Sequence, residues 1–456
     1  MLANPSLRAL VAFIIVGALI SGVGFTQSWS VALAIINLCM ISAVMALGVN
    51  IQWGYAGLFN VGIMGFAALG GVAAVLVSMP PVKDAWAAGG ANLLVAGGMV
   101  LLTVLAMVGV RRFLPRSNLR GLLSIIVIAA GFILIRRFYD PAVEAIEAVN
   151  AAKTGFLGGL GLPILFSWLV GGLFAAGAAW IVGKVALGLR SDYLAIATLG
   201  ISEIIVAIAK NEDWLTRGVK NVTGLPRPVP YEIELQESAR FLEWVEWWNA
   251  DALAGLTGDA RADALQGFVI NNSSLFVKLC YSGLFAIVLL IVLMLCVLAL
   301  NSPWGRMMRA IRDNEIAAGA MGKDVTKRHL QIFVLGSAVV GIAGAMLTTL
   351  DGQFTPGTYN PLRFTFLIWV MVIVGGSGNN LGAVLGAFLI WFMWIEAEPA
   401  GTWLMGAVTS GLEDGSALKS HLIDSAQHMR LFVMGLVLLL VLRFMPRGIL
   451  PEVVKR

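Results

Sequence analysis

Charged residues are scarce in this sequence. Only 12% of its 456 residues are charged and 59% are hydrophobic, whereas soluble domains normally carry about 25% charged residues. This deficit excludes an ordinary soluble globular domain. Apolar runs of about 20 residues recur along the chain, which is typical of helices that cross a bilayer. The sequence therefore predicts an all-α, polytopic helical membrane protein, embedded in the lipid bilayer as a single transmembrane domain over 1–456.

Cysteine and histidine are also rare, with three residues of each. The cysteines, Cys39, Cys280 and Cys296, all lie in apolar runs, where a thiol behaves as a small hydrophobic group. No closely spaced Cys pair or Cys/His cluster is present. The sequence therefore supports neither a disulfide framework nor a metal site.

Catalytic motifs are missing as well. The phosphate-binding loop of an ATPase ends in Gly-Lys followed by Ser or Thr. The two Gly-Lys pairs here, at 183–184 and 322–323, are followed by Val185 and Asp324. We therefore expect no catalytic residue and no cofactor bound by this chain. The energy for any active process would come from an ion gradient or from a separate subunit.

The net charge of the chain is +5. We expect no nucleic-acid partner, because basic loops on one side of the membrane explain the excess. Basic residues concentrate in 111–120, in 184–190, in 301–330 and in the tail from 443. If successive spans alternate, all four stretches and both termini fall on one side, which we expect to be the cytoplasm. Arg136 and Arg137 are the exception.

Twelve apolar segments are candidate spans, and the tenth and eleventh are short. These two are joined by the glycine-rich turn 375–380 and form a hairpin that crosses the membrane fully or only in part. We therefore expect 10–12 transmembrane helices. The segments are 9–26, 30–50, 56–79, 91–110, 121–136, 158–183, 192–209, 275–300, 331–350, 364–377, 380–398 and 430–446.

The segment 301–330 separates two long apolar runs and carries six basic and three acidic residues. Its centre, 310–321, is rich in helix formers. Asp313, Ala317 and Ala320 recur at helical spacing, which predicts a short helix with small residues on one face. A helix of this kind at the membrane surface fits a groove on a soluble partner. We expect 301–330 to be a cytoplasmic coupling segment.

The longest hydrophilic stretch, 210–274, carries six basic and ten acidic residues and is expected to be a periplasmic loop. Within it, the pattern of 231–250 predicts an amphipathic helix with Phe241, Trp244, Trp247 and Trp248 near one face. One interpretation is an interfacial helix, because Trp settles at the headgroup level. The other is a landing surface for an extracytoplasmic partner.

One carboxylate lies inside an apolar run. Glu203 follows Asp192 by eleven residues, about 16 Å along a helix, which places it near the membrane midplane. A charge there costs several kcal/mol unless it is paired or hydrated. Glu203 is therefore either a residue of the solute pathway or a structural group, protonated or paired with a neighbouring helix.

Three amides surround a glycine-rich turn. They are Asn50, Gln52 and Asn60, and the turn contains Gly54 and Gly57. Glycine at this point can break a helix and expose backbone groups to a polar solute. Alternatively, the amides satisfy the hydrogen bonds of the turn itself. Gln52 and Asn60 join the carboxylate above as candidate pathway residues.

Three stretches together resemble a known family. They are LGVNIQWGYAGLFNVGIMGFAALGG at 47–71, LRSDYLAIATLGISEII at 189–205 and SPWGRMMRAIRDNEIAAGAMGKDV from 302, followed by VGIAGAMLTTLDGQFTP and GGSGNNLGAVLGA. In order and spacing they are similar to the M-type permease subunit of branched-chain amino acid ABC importers. Relative to that family, the chain has an apparent extra helical hairpin at about 91–136 and a longer 210–274 loop.

The resemblance implies a transport subunit, not an enzyme, in a bacterial inner membrane. It implies a heterodimer with a second related permease, two cytoplasmic ATPase subunits that bind ATP and Mg²⁺, and a periplasmic solute-binding protein. In the family, the segment that matches 313–322 is the helix that sits on the ATPase. Ile316 occupies the Glu position of the importer pattern, and Glu315 lies one place early. The coupling candidates are Arg309, Asp313, Glu315, Ala317, Ala318 and Gly322.

Other functions stay open. Urea and short-amide importers use closely similar permeases, so the solute is undecided. An ion-driven secondary transporter would use Glu203 as a proton or sodium site, although no inverted repeat supports it. A structural or assembly protein would tolerate replacement of Glu203 and of the glycine-rich turn.

Overall fold

The computed structural model describes residues 5–115, 117–150, 154–411 and 416–452, and these form mostly α-helices. Arg116 and the basic tail beyond 452, which contribute to the predicted charge asymmetry, lie outside the described residues. The helices are α1 (Pro5–Thr26), α2 (Trp29–Ala56), α3 (Ile63–Ser78), α4 (Lys83–Ala85), α5 (Ala91–Phe113), α6 (Asn118–Ala148), α7 (Ile164–Ala186), α8 (Ser191–Asn211), α9 (Asp213–Thr216), α10 (Glu232–Glu237), α11 (Ala239–Trp248), α12 (Ala250–Leu253), α13 (Asp259–Asn301), α14 (Pro303–Asp313), α15 (Glu315–Ala320), α16 (Val325–Asp351), α17 (Pro361–Gly375), α18 (Asn380–Val408), α19 (Ala417–Asp424) and α20 (Met429–Phe444).

Nine helices in the described ranges are long and apolar enough to cross a membrane, counting α4 and α5 with the π-turn between them as one. The pair α19 and α20, bent by 58°, forms a tenth candidate. α3 and α17 are apolar but shorter, with 16 and 15 residues. The predicted all-α, polytopic membrane fold is confirmed, and each of the twelve predicted segments corresponds to an apolar helix.

The 210–274 stretch differs from the expected loop. Its amphipathic part is divided at Ser238 into α10 and α11. From Asp259 onward the chain is already part of α13, which has 43 residues and begins well before the predicted span at 275. The residues Asp259–Ser274 are mixed in polarity but rich in helix formers, so the helix continues beyond its apolar section.

Two ends of the helix bundle are defined by long-range contacts. At one end, β1 (Val222–Thr223) pairs antiparallel with β2 (Gln353–Phe354), which joins the link after α8 to the link after α16. We call this the ribbon end. At the other end lie α14 and α15, and Arg312 of α14 forms an ion pair with Glu452, the last described residue.

Both described termini lie at the α14–α15 end. The contact between Arg312 and Glu452 places the C-terminal residues there. α1 and α2 are joined by a short turn at the ribbon end, where the Lys278 amine of α13 donates a hydrogen bond to the Ser30 carbonyl at 3.2 Å. α1 therefore begins at the opposite end of the bundle, the α14–α15 end.

The core is built around α2, in which 72% of the residues of an 18-residue apolar stretch are buried. It packs against α13, α16 and α18. Next to it, glycines bring α3, α7 and α16 into backbone contact, because a Cβ added at Gly70 or Gly171 would overlap or crowd Gly341, and one at Gly344 would overlap Ala67. Gly341 and Gly344 therefore allow the helices to approach closely, as small residues do between helices in membranes.

The helices α5 and α6 form an antiparallel hairpin at the edge of the bundle. In each of the two spans, only 6% of the residues of an 18-residue apolar stretch are buried. The hairpin is held at the ribbon end, where Trp86 Nε1 donates to the Leu157 carbonyl at 3.1 Å. There the Tyr139 hydroxyl also donates to Glu212 at 2.5 Å. The hairpin thus covers the predicted segments 91–110 and 121–136 but adds little to the core.

Candidate functional site

The glycine-rich turn lies at the α14–α15 end of α2. The helix ends at Ala56, and Gly57 follows in the left-handed region with φ +70°, which favours glycine. Of the two predicted helix breakers, only Gly57 ends the helix. Gly54 lies inside α2, where a Cβ would overlap the Gly378 backbone. The irregular link 57–62 then leads into α3.

Gln52 and Asn60 contact each other directly. Asn60 Nδ2 donates to Gln52 Oε1 at 2.9 Å, and Gln52 Nε2 donates to the Phe333 carbonyl at 2.8 Å and to Ser337 Oγ at 3.1 Å. Asn60 Oδ1 accepts the Gly62 N–H at 2.9 Å. Both amides are 1% exposed. We call this group the Gln52–Asn60 network.

The network joins three helices around the link. It ties α2 to α16, and the Trp369 indole of α17 donates to the Asn60 carbonyl at 3.0 Å. The rings of Trp53, Phe59 and Trp369 fill the adjoining space, with centroids 4.7 to 5.5 Å apart. In this conformation the two amides therefore form hydrogen bonds within the protein, around the turn. This arrangement corresponds to the alternative in which the amides do not contact a solute.

A second amide group lies beside the first. Asn50 Nδ2 donates to Asn380 Oδ1 at 3.1 Å, and Asn50 Oδ1 accepts the Gly378 N–H at 2.9 Å. The Tyr55 hydroxyl also donates to Asn380 at 3.2 Å. These contacts join the end of α2 to the glycine-rich turn between α17 and α18, where Gly376 has φ +118°. The sequence shows the polar end of α2 and the glycine-rich turn at 375–380, but not that the two are hydrogen-bonded to each other.

Glu203 lies apart from the Gln52–Asn60 network. The neighbouring face of α8 is buried, and its Thr198 and Ser202 hydroxyls accept the N–H groups of Val61 and Gly65 at 3.0 and 2.7 Å. Glu203 points away from this contact and is exposed. In the described part of the chain its carboxylate has no hydrogen-bond or ion-pair partner. The three predicted pathway residues are thus not brought together.

The exposed face of α8 is otherwise uncharged in its central turns. It carries Ile196, Gly200, Ile204 and Ala207 beside Glu203. A charged carboxylate facing hydrocarbon at mid-span costs at least about 2.5 kcal/mol. A charged Glu203 on this face therefore requires a hydrated or protein-covered environment once the chain is in a membrane.

Two smaller cavities and one wide cleft lie elsewhere in the bundle. A largely apolar cavity of about 190 Å³ between α2, α16, α17 and α18 has Ser42, Asp351 and Thr358 among its lining. A cavity of about 260 Å³ at the α14–α15 end is lined by Arg309 and Glu452, among others. The cleft, about 1060 Å³, lies between α17, α18 and α20.

The predicted coupling segment, 301–330, is divided into two helices. α14 is anchored by its buried residues Met308 and Ile311. The expected single helix through Asp313, Ala317 and Ala320 is broken at Asn314, which has extended backbone angles of φ −157° and ψ 96°. Asn314 Oδ1 accepts the Ala317 N–H at 2.9 Å and so caps α15. A capping Asn competes with helix continuation, which explains the break.

α15 stands out from the bundle and has no buried residue. Glu315, Ala317 and Ala318 lie on it, and all but the half-buried Ala318 are exposed. Ile316 is 86% exposed and Met321, just after the helix, is 80% exposed. The other three predicted coupling residues lie around α14 and α15. Asp313 ends α14, and Gly322 turns the chain after α15 with φ +76°. Arg309 Nη2 donates to the Leu300 carbonyl at 3.1 Å.

Arg312 links this segment to the bundle and was not among the predicted coupling residues. Its guanidinium donates to the Gly54 carbonyl at the end of α2, to Glu452 at 2.9 Å and to Asp313 at 3.0 Å. Burial alone would lower the pKa of Arg312, but the two carboxylates outweigh it and raise that pKa. α14 is therefore fixed to the same turn that holds the Gln52–Asn60 network.

Polar contacts between helices hold the described residues of this site together. In the described ranges, no group of three or more His, Cys, Asp or Glu residues is placed to hold a metal ion. Instead, buried hydrogen bonds join a surface helix, a broken helix end and a glycine-rich turn.

A family model described as "Branched-chain amino acid transport system / permease component" matches residues 31–442. The high-affinity branched-chain amino acid transport system permease protein LivM of Escherichia coli (strain K12) is 28% identical over 303 residues, which are 65% of this chain and 63% of that protein. The chain thus spans slightly less than two thirds of this relative's length.

Two further relatives differ in how much they cover. The probable branched-chain amino acid transport permease protein LivM of Methanocaldococcus jannaschii is 25% identical over 330 residues, which are 71% of this chain and 77% of that protein. The xylose transport system permease protein XylH of Escherichia coli (strain K12) is 31% identical, but over 117 residues, 24% of this chain and 30% of that protein. No solved structure matches this chain.

Proposed function

This chain belongs to the family of branched-chain amino acid transport system permease components, and from that membership we propose its function. It is the membrane-spanning permease subunit of an ABC importer that moves branched-chain or related amino acids. Members of the family are transport subunits, not enzymes. Import is driven by ATP that binds, with Mg²⁺, to separate ATPase subunits.

The observation that carries this proposal is the exposed helix α15. This six-residue helix lies outside the apolar spans and has no buried residue, and Ile316 on it and Met321 just after it are 86% and 80% exposed. An isolated helix this short is unstable in water. It gains a partner when it inserts into a groove of an ATPase subunit, with Glu315, Ala317, Ala318 and the turn at 322 at the contact.

The proposal fixes the orientation of the chain. The α14–α15 end, with both termini, faces the bacterial cytoplasm across the inner membrane, because the ATPases are cytoplasmic. The basic stretches 111–120, 184–190 and 301–330 then follow the positive-inside rule. The ribbon end faces the periplasm, where a solute-binding protein delivers the solute.

The solute path lies against the outer face of α8. A second, related permease covers this face and leaves a hydrated path between the two chains, which supplies the environment that Glu203 requires. The link that carries Asn60 contacts α8 through Thr198, and Arg312 of α14 holds the end of α2 at the Gly54 carbonyl. Movement of α15 can therefore displace α8 from its buried side and open or close the path on its outer face.

Glu203→Gln tests this path in the complete importer, reconstituted in proteoliposomes with ATP inside. We expect leucine uptake to be lost while the complex assembles normally. Glu144→Gln, which replaces another exposed carboxylate, on α6, serves as a matched control. Normal uptake by the Glu203 variant would refute the placement of the path.

The unpartnered Glu203 also favours a second function, an ion-driven transporter in which this carboxylate carries a proton or sodium ion. The same proteoliposomes separate the two functions. Uptake that requires ATP supports the importer. Uptake that instead follows an imposed ion gradient without ATP supports the second function. Competition of leucine uptake by urea or acetamide decides between amino acids and short amides.

A further inference from the structure

Three tryptophans of α11 are exposed together. Trp244, Trp247 and Trp248 have exposed fractions of 43%, 71% and 65%. Their rings form one group, with centroids 6.0 Å apart for Trp244 and Trp248 and 6.1 Å for Trp247 and Trp248. We call these three residues the Trp surface. An exposed apolar group of this size marks a contact with lipid or with protein.

The opposite face of α11 packs along the first turns of α13. Phe241 lies against Phe276, with ring centroids 6.1 Å apart, and Val245 is fully buried in a cluster with α13. Towards the end of α11, Arg261 donates to the Glu246 carboxylate at 2.6 Å. Later residues of α11 thus contact earlier residues of α13, so α11 runs antiparallel to α13 and away from the bundle.

The position of α13 sets the height of the Trp surface. Lys278 contacts the start of α2, and the uncharged stretch 279–300 that follows is about 33 Å long, which matches one hydrocarbon layer. The helix between Lys278 and Arg261 adds about 26 Å. With α13 tilted by about 40°, the roughly 59 Å of helix from 300 to Arg261 rises about 45 Å, so the end of α11 stands about 15 Å above a hydrocarbon layer of about 30 Å, beyond a headgroup layer of about 6 Å.

The charges around the Trp surface also disfavour a lipid contact. Between 231 and 266 there are eight acidic and two basic residues. Glu243 and Asp251, next to the tryptophans, are exposed, and Arg261 is already paired with Glu246. Interfacial helices instead carry Lys and Arg towards the headgroups. An acidic border fits a protein whose own contact is bordered by basic residues.

We propose that the Trp surface is the docking site for the soluble solute-binding protein of this importer. The inference rests on the proposed function and adds the place of contact. The tryptophans enter an apolar hollow of that protein, as Trp does at the centre of many interfaces. Lysine and arginine around the hollow face Glu243 and Asp251. The binding protein then sits on the same side of the membrane as the ribbon end.

The test uses the complete importer in proteoliposomes, with purified solute-binding protein added outside at increasing concentration. The triple variant Trp244→Ala, Trp247→Ala, Trp248→Ala should need at least about tenfold more binding protein for half-maximal uptake. The maximal rate should be restored at saturation. Trp403→Ala, which removes a 75% exposed tryptophan of α18, should leave both values unchanged.

The outcomes separate the two levels of the proposal. If the triple variant responds like the unsubstituted importer, the docking site is refuted and the transport function stands. If binding protein fails to stimulate even the unsubstituted importer, the proposed function is refuted and the docking site with it. A Glu243→Lys, Asp251→Lys variant should also weaken the response, and more so at low salt.

A second measurement tests whether the Trp surface lies in water or in lipid. A nitroxide is attached at Trp247→Cys in a Cys280→Ser background, with the full chain in phosphatidylcholine nanodiscs. We expect the label to be relaxed by a water-soluble nickel complex, as at an aqueous site. A label at Leu290→Cys, on the apolar part of α13, should be relaxed by oxygen instead. Oxygen relaxation at position 247 would show that the Trp surface lies in lipid and would overturn the docking site.

Discussion

Arg312 is predicted to transmit the movement of the coupling segment to the bundle. It is the residue of α14 that contacts both the Gly54 carbonyl and the Glu452 carboxylate. Replacing it with Gln keeps a polar side chain but removes the charge. If α14 moves with α2 through this contact, Arg312→Gln should uncouple ATP hydrolysis from uptake while the ATPase subunits stay bound.

The size of the effect follows from the burial of the pair. The side chains of Arg312 and Glu452 are 23% and 20% exposed. Ion pairs at the surface contribute up to about 1 kcal/mol, and hydrogen bonds to charged groups about 1.5–3 kcal/mol. A mostly buried pair with further partners should therefore have a coupling energy of about 1.5 kcal/mol, which corresponds to about tenfold.

The assay is a double-mutant cycle on ATP-dependent uptake in proteoliposomes. Arg312→Gln and Glu452→Gln should each lower uptake about tenfold, and the double variant should be no worse than Arg312→Gln. Arg306→Gln, on the same helix but exposed, is the control. Additive losses would show that the two side chains act independently. Normal uptake by Arg312→Gln would refute the transmission role.

Three substitutions test the packing that positions the site, each by thermal unfolding of the purified chain in detergent. Asn50→Leu should lower the free energy of unfolding by about 2 kcal/mol, because the buried Gly378 N–H loses its acceptor. An unchanged melting temperature would contradict that hydrogen bond. Gly344→Leu should cost about 1–3 kcal/mol, since the side chain forces α16 away from Ala67. Wild-type stability would mean that the helices are not in contact. Gly57→Ala should cost about 1 kcal/mol through its positive φ, and a stabilised variant would rule out that backbone conformation.

The spans were predictable because lipid imposes a simple requirement. A helix that crosses the hydrocarbon needs about 20 apolar residues, and this signal lies entirely within each segment. The 259–274 part of α13 escaped that reasoning, because it is helical without being apolar. The break at Asn314 did have a local signal, since an Asn followed by Glu315 is typical of a helix start.

The candidate site was predictable only in part. The polar residues of the glycine-rich turn were recognisable because amides inside an apolar protein are unusual. Their partners were not, because Asn50 pairs with a residue 330 positions away and Gln52 with one 281 positions away. The role of Arg312 was hidden for the same reason, since its contacts with Gly54 and Glu452 exist only in the folded chain.

The most direct test of the account is whether α15 holds ATPase subunits. The tagged full chain is purified in mild detergent, and the proteins that accompany it are identified. We expect ATPase subunits to co-purify with the unsubstituted chain and to be lost when 313–322 is replaced by a Gly/Ser linker. A chain that purifies without ATPase subunits, yet takes up solute along an ion gradient, would contradict the importer function.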